Sequence, residues 1–94
     1  MEINFEQSNS KGSFFILKNG ARGGELTFSK AGDKLLIIDH TEVSDELRGQ
    51  DAGLELVSAA VAYAREHHLK ILPLCPFSKS VFTKVKEFQD VLFI

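Results

Sequence analysis

Along the first half of the chain, apolar residues come in short clusters broken by turn signals and never settle into a helical period, which predicts antiparallel strands. Phe14-Phe15-Ile16-Leu17 is the first clear strand. Asn19-Gly20 follows, and because both residue types accept positive φ, Lys18 to Ala21 reads as a hairpin turn. The next strand carries Glu25-Leu26-Thr27-Phe28, with Gly23-Gly24 ahead of it allowing a bulge or bend. A turn around Ala31-Gly32-Asp33 leads into a third strand, Lys34 to Val43. Strict alternation puts Leu36, Ile38, His40 and Glu42 on one face of it and Leu35, Ile37, Asp39, Thr41 and Val43 on the other. Both faces are apolar at its start, which marks a central strand, and both turn polar from Asp39 onward. That polar end is either a strand leaving the core or a strand meeting a ligand.

Beyond the third strand the period changes. Leu54, Val57, Val61 and Ala64 recur at helical spacing as far as about His68, predicting one long helix. Lys70-Ile71-Leu72-Pro73-Leu74-Cys75 is short and apolar, suits a buried strand, and after a helix should lie parallel to the strand ending at Val43. Pro73 has no N–H to donate and suits an edge or an interrupted ladder. Pro76 fits the first position of a second helix, whose Phe77, Val81, Val85 and Phe88 form an apolar stripe while Lys79, Lys84, Lys86 and Glu87 face water. This order gives an α+β fold: a mainly antiparallel sheet with one parallel pair and helices packed on it.

A length of 94 residues fits a single domain spanning the whole chain, 1–94, and 44% hydrophobic with 26% charged residues is an ordinary globular composition. Eleven Lys and Arg stand among 13 Asp and Glu without a basic block, which argues against nucleic acid as a partner. The lone cysteine, Cys75, excludes an intramolecular disulfide and suits a reducing compartment. Met1-Glu2-Ile3-Asn4 has neither the basic start nor the apolar run of a signal peptide, and no stretch reaches membrane-spanning length. A cytoplasmic protein is expected, with no membrane partner, as a monomer or weak homodimer. No His/Cys/Asp/Glu spacing resembles a zinc site, so no metal is expected.

The segment Val43-Ser44-Asp45-Glu46-Leu47-Arg48-Gly49-Gln50-Asp51-Ala52-Gly53 runs from the central strand into the start of the long helix. Backbone N–H groups at a helix start have no intrahelical partner and the helix dipole favours negative charge there, so such a loop can bind anions. Leu47 to Gly53 resembles the acetyl-CoA pyrophosphate loop of GNAT (Gcn5-related N-acetyltransferase) enzymes, whose pattern is Arg/Gln-x-x-Gly-x-Gly/Ala before a long helix. Arg48 and Gly53 match its ends, whereas Asp51 stands where the family usually has glycine. The wider stretch Asp39 to Phe82 resembles a subgroup of very small GNAT-like proteins through His40-Thr41-Glu42-Val43, Leu47-Arg48-Gly49 and Leu72-Pro73-Leu74-Cys75-Pro76-Phe77.

The resemblance implies a GNAT-like fold and a coenzyme A thioester such as acetyl-CoA as cofactor. It implies pantetheine contacts at Thr41 and Val43, phosphate contacts at Arg48, Gly49, Gln50, Asp51, Ala52 and Gly53, and a cofactor border at Phe77 and Ser78. The activity implied is acyl transfer from coenzyme A to an unassigned amine; the alternative is a non-catalytic acyl-CoA-binding or regulatory module. Three candidate catalytic residues follow. Cys75, at the start of a helix, is placed either for nucleophilic attack or for inert packing. His40, with Glu42 as its orienter, is placed to deprotonate the amine or to activate Cys75, or it is structural. Direct attack by the amine and an acyl-Cys75 intermediate are both open. Arg48 either pairs with phosphate or forms an ion pair with Glu46 or Asp45, and the Phe77 stripe reads more simply as core. His67 and His68 complement the end of the long helix.

Overall fold

Five strands pair in chain order into one sheet: β1 (Asn4–Ser8), β2 (Lys11–Lys18), β3 (Ala21–Ala31), β4 (Leu35–Val43) and β5 (Lys70–Pro73). They belong to a computed structural model that describes residues 1–93. The first four strands are antiparallel, and β5 runs parallel to β4 after the crossover through α1 (Ala52–Glu66). A second helix, α2 (Pro76–Lys84), and a 3-10 stretch, Lys86–Val91, complete the chain. The mixed sheet with one parallel pair is the architecture the sequence predicts.

The strand missing from the sequence reading is β1. Asn4-Phe5-Glu6-Gln7-Ser8 has one large apolar residue and no alternation to detect. An edge strand needs little more, since one neighbour satisfies its backbone, and β1 pairs with β2 from Asn4↔Phe15 to Ser8↔Lys11. The turn into β3 is the foreseen hairpin, with Asn19 and Gly20 both at positive φ. Gly23 is the extra residue of a bulge, because Ile16 faces Gly24 while Leu17 already faces Arg22.

A second bulge overturns the face assignment of the central strand. Phe28 faces Ile38, but the next residue back, Thr27, faces His40, so Asp39 is an unmatched extra residue. One inserted residue inverts every side chain after it. Thr41 and Val43 therefore share the core face with Leu36 and Ile38, and His40 and Glu42 go to the opposite face.

The core forms where α1 lies on β3 and β4. Leu56, Val57, Ala60, Val61 and Ala64 of the helix, with Leu26, Phe28, Leu36 and Ile38 of the strands, are all essentially inaccessible. At one end Phe5, Phe14, Phe28 and Tyr63 form an aromatic cluster with ring centroids 5.1 to 6.1 Å apart. The helix stops at Glu66, short of the expected His68, because His68 takes a positive φ; His67 stacks on Tyr63 at 4.1 Å. In α2 Pro76 takes the first turn as expected, but the buried side is Ser78, Val81 and Phe82, so Phe77 is not core. Val85 and Phe88 lie past the end of the helix and pack partly buried. Arg65 ties this C-terminal stretch to α1 through two bonds to Asp90, at 3.0 and 2.8 Å, and one to the Glu87 carbonyl.

Candidate functional site

The β4–β5 ladder runs only from Leu35↔Lys70 to Ile38↔Pro73. Its last hydrogen bond goes from Leu74 N–H to the Ile38 carbonyl, 3.0 Å, so the backbone nitrogen of Pro73 points to the outer edge and its missing proton costs this ladder nothing. The strands then part. The bulge at Asp39 bends β4, while the chain after Pro73 turns into α2, and Asp39–Val43 keeps a strand neighbour on the β3 side alone among the described residues. Half a strand is left with unpaired backbone groups facing the gap.

The gap opens into a cleft of about 560 Å³. Thr41 and Val43 of β4 form one wall, and Phe77, Ser80, Val81 and Lys84 form another, a row along one side of α2. The floor is the loop before α1, with Leu47, Arg48, Gly49, Asp51, Ala52 and Gly53. The first helical bond of α1 goes from Glu55 N–H to the Asp51 carbonyl, and Asp51 makes no side-chain cap. The N–H groups of Ala52, Gly53 and Leu54 are thus left as donors at the positive end of a helix dipole. Gly49, at φ +81°, has open space where a side chain would stand. Gly53 is required for another reason: a Cβ there would lie 2.5 Å from Cζ of Phe77, whose ring rests on the helix start.

Behind Thr41 of the cleft wall sits Cys75, buried, capping the N-terminus of α2. Its Sγ lies 3.4 Å from Thr41 Oγ1 and 3.0 Å from Ser78 Oγ. Burial, the largest single influence, pushes the thiol up, but the bonds from Ser78 and Thr41 together outweigh it, and the thiol stands below its ordinary pKa.

The profile of the GCN5-related N-acetyl-transferase family matches residues 13–91. The chain belongs to that family. A GCN5-like protein from Staphylococcus aureus, known from an NMR solution structure, is 38% identical, with a TM-score of 0.72 over 96% of this chain and 87% of that one. The ribosomal-protein-alanine N-acetyltransferase of Brucella melitensis biovar Abortus 2308 shares the fold at 15% identity and a TM-score of 0.68, over 83% of this chain and 62% of that one. Tetrahymena GCN5 does so at 17% identity and 0.67, over 82% of this chain and 51% of its own. This chain therefore spans between half and two thirds of those two longer acetyltransferases. No curated protein matches it.

Of the residues that the family resemblance singles out, Thr41, Val43, Arg48, Gly49, Asp51, Ala52, Gly53 and Phe77 line the cleft. Gln50 does not; its amide turns back to the Glu46 carbonyl at 3.2 Å. Ser78 lies beneath Cys75, fully buried. Arg48 is paired with Asp45 at 3.0 Å in an exposed i,i+3 contact, which is worth little in water and leaves the guanidinium at the cleft. His40 and Glu42 are bonded to each other at 2.9 Å, as expected, but exposed on the face opposite Thr41 and Cys75. The expectation that His40 activates Cys75 is corrected on that ground: the bulge separates them.

Lys84, Ser80 and Val81 are among the cleft residues that sequence reasoning left out, with Leu54 and Val85. Phe77, Ser80, Val81 and Lys84 follow i, i+3, i+4 and i+7 spacing, and the same periodicity that suggested a core stripe marks a cleft wall. A larger hollow, about 790 Å³, lies on the opposite sheet face between Glu6, Glu25 and Asp39. Its carboxylates are already engaged, Glu6 and Glu25 by Arg22 and Asp39 by Ser29.

Proposed function

We propose that the chain binds acetyl-CoA, or another short acyl-CoA, between β4 and α2 and transfers the acyl group to a primary amine. The observation that carries this reading is the end of β4–β5 pairing at Ile38↔Pro73, beside a row of free N–H groups at the start of α1. One extended ligand with a thioester at one end and a diphosphate at the other meets a suitable surface at each. The backbone of Gly49 and of Ala52 to Leu54 receives the diphosphate, with Arg48 and Lys84 supplying positive charge against the single carboxylate of Asp51. The unpaired edge at Thr41–Val43 receives the pantetheine amides as an added strand would be received. The bound thioester supplies the activated acyl group, so the protein's work is to hold it, exclude water and handle one proton.

Two residue sets fit that last task, on opposite sides of the gap. Cys75, on the helix side, suits a covalent route, and the His40–Glu42 pair, on the bare side, suits proton removal from an amine arriving there. Calorimetry with acetyl-CoA and coenzyme A, followed by coenzyme A release over a panel of amines, tests the reading. Binding at one site per chain with thiol release for some amine is expected. Binding without release for any amine favours the acyl-CoA-binding module, and no binding with no amide shifts from Val43 to Leu54 overturns the assignment of the cleft.

A further inference from the structure

The sulfur of Cys75 has three hydrogen-bonding groups around it, one fixed donor and two hydroxyls that can turn. Ser78 N–H reaches it at 3.4 Å, Ser78 Oγ lies 3.0 Å away, and Thr41 Oγ1 approaches at 3.4 Å from β4. Ser78 is completely buried, so its hydroxyl must be satisfied by protein. That hydroxyl carries one hydrogen and has two acceptors within reach, Sγ and the carbonyl of Cys75, also at 3.0 Å. The carbonyl does not depend on Ser78, because Lys79 N–H donates to it at 3.1 Å.

We propose that Ser78 and Thr41 are positioning residues that let Cys75 ionise where it stands, by rotating their hydroxyl hydrogens. In the thiol form S–H donates to Ser78 Oγ and the Ser78 hydroxyl donates to the Cys75 carbonyl. When the proton leaves, the Ser78 hydroxyl turns to the sulfur, Thr41 donates from the other side, and Lys79 N–H keeps the carbonyl paired. No buried polar group is left without a partner in either state, so ionisation carries no added penalty of that kind. Charged groups on the neighbouring elements do not take this role. His40 and Glu42 of β4 lie on the other sheet face, Asp39 is held by Ser29, and Lys79 of α2, Glu55 of α1 and Lys70 of β5 are exposed.

The inference rests on the cleft being an acyl-CoA site and assigns the chemistry beside Thr41. Sγ bonds to the acyl carbon, the bond from that carbon to the coenzyme A sulfur breaks, and the proton lost by Sγ ends on the departing thiolate. One thioester replaces another, so no oxidant or further reactant is needed. The amine then attacks the acyl-Cys75 carbonyl, the C–Sγ bond breaks, and a proton from the amine returns to Sγ.

The test is the pH dependence of iodoacetamide alkylation of Cys75, whose inflection reports the thiol pKa independently of how slowly the reagent enters. Ser78→Ala and Thr41→Val are each expected to move the inflection upward and to slow alkylation at neutral pH by about tenfold, the equivalent of one pKa unit. Thr41→Ser, which keeps the hydroxyl, is expected to retain the wild-type profile. An unchanged or lower inflection in both Ser78→Ala and Thr41→Val overturns the proposal, and should Ser78→Ala fail to fold, Thr41→Val with its Thr41→Ser control decides alone. Alkylation requires no coenzyme A. Loss of acetyl-CoA binding in wild type alongside the expected pH shifts would overturn the cleft's function while upholding the roles of Ser78 and Thr41.

Discussion

Leu35–Ile38 and Asp39–Val43 are halves of one strand, yet their surroundings differ on every side but one. The first half has β3 on one flank and β5 on the other, and its Leu36 and Ile38 are wholly buried under α1. The second keeps β3, loses β5, and presents Thr41 and Val43 to a cleft. A backbone with both flanks paired contributes stability and nothing else. The same backbone with one flank unpaired is a template for any ligand that carries amides of its own. The switch takes one inserted residue, Asp39, and a neighbour that turns away after Pro73.

Substitutions in the two halves should therefore separate stability from binding. The largest effect is expected from Leu36→Ala, which should cost about 2–5 kcal/mol in urea unfolding, as truncation of a buried leucine does. Val43→Ala, on the partly exposed half, should cost about 1 kcal/mol or less by the same assay, and equal losses would break the comparison. Next comes Lys84→Ala, expected to weaken acetyl-CoA binding by about three- to tenfold at low ionic strength and by less as salt screens the exposed ammonium, which calorimetry at two salt concentrations would show. A smaller gain is expected from Asp51→Gly. Asp51 is held at φ +58° and places a carboxylate at the cleft, so glycine should relieve strain worth up to about 1 kcal/mol and tighten the complex a few-fold. His40→Ala should leave the alkylation profile of Cys75 unchanged, since the imidazole stands on the other sheet face; a shifted inflection would show that the two faces communicate.

Much of this was legible in the sequence because local chemistry and global packing agree there. Asn19-Gly20, Gly23-Gly24 and Pro76 announce a hairpin, a bulge and a helix start through backbone constraints that act over two residues, and all three are found. The loop from Arg48 to Gly53 is singled out by its resemblance to the GNAT pyrophosphate loop, since a glycine-containing turn before a helix is by itself a weak signal. The bulge at Asp39 gave no such sign: aspartate has an ordinary place in a strand that turns polar, and only the pairing partner on β3 reveals the extra residue. With it went the faces of His40, Thr41, Glu42 and Val43. Lys84 was hidden by a different ambiguity, since helical periodicity identifies a face without saying whether protein or ligand covers it. Ser78 could be placed near the site by resemblance, but its bond to the sulfur depends on a turn geometry that spacing alone does not supply.

The end of the described chain folds back onto β5. Leu92 forms a parallel bridge with Ile71, and Phe93 N–H donates to the Ile71 carbonyl at 2.8 Å. One margin of the sheet thus recruits its last neighbour from its own polypeptide, while the opposite margin, β1, stays open. Along β5 the C-terminal stretch occupies the place that a strand from another molecule would take, and shortening the chain before Leu92 would bare that margin to such pairing.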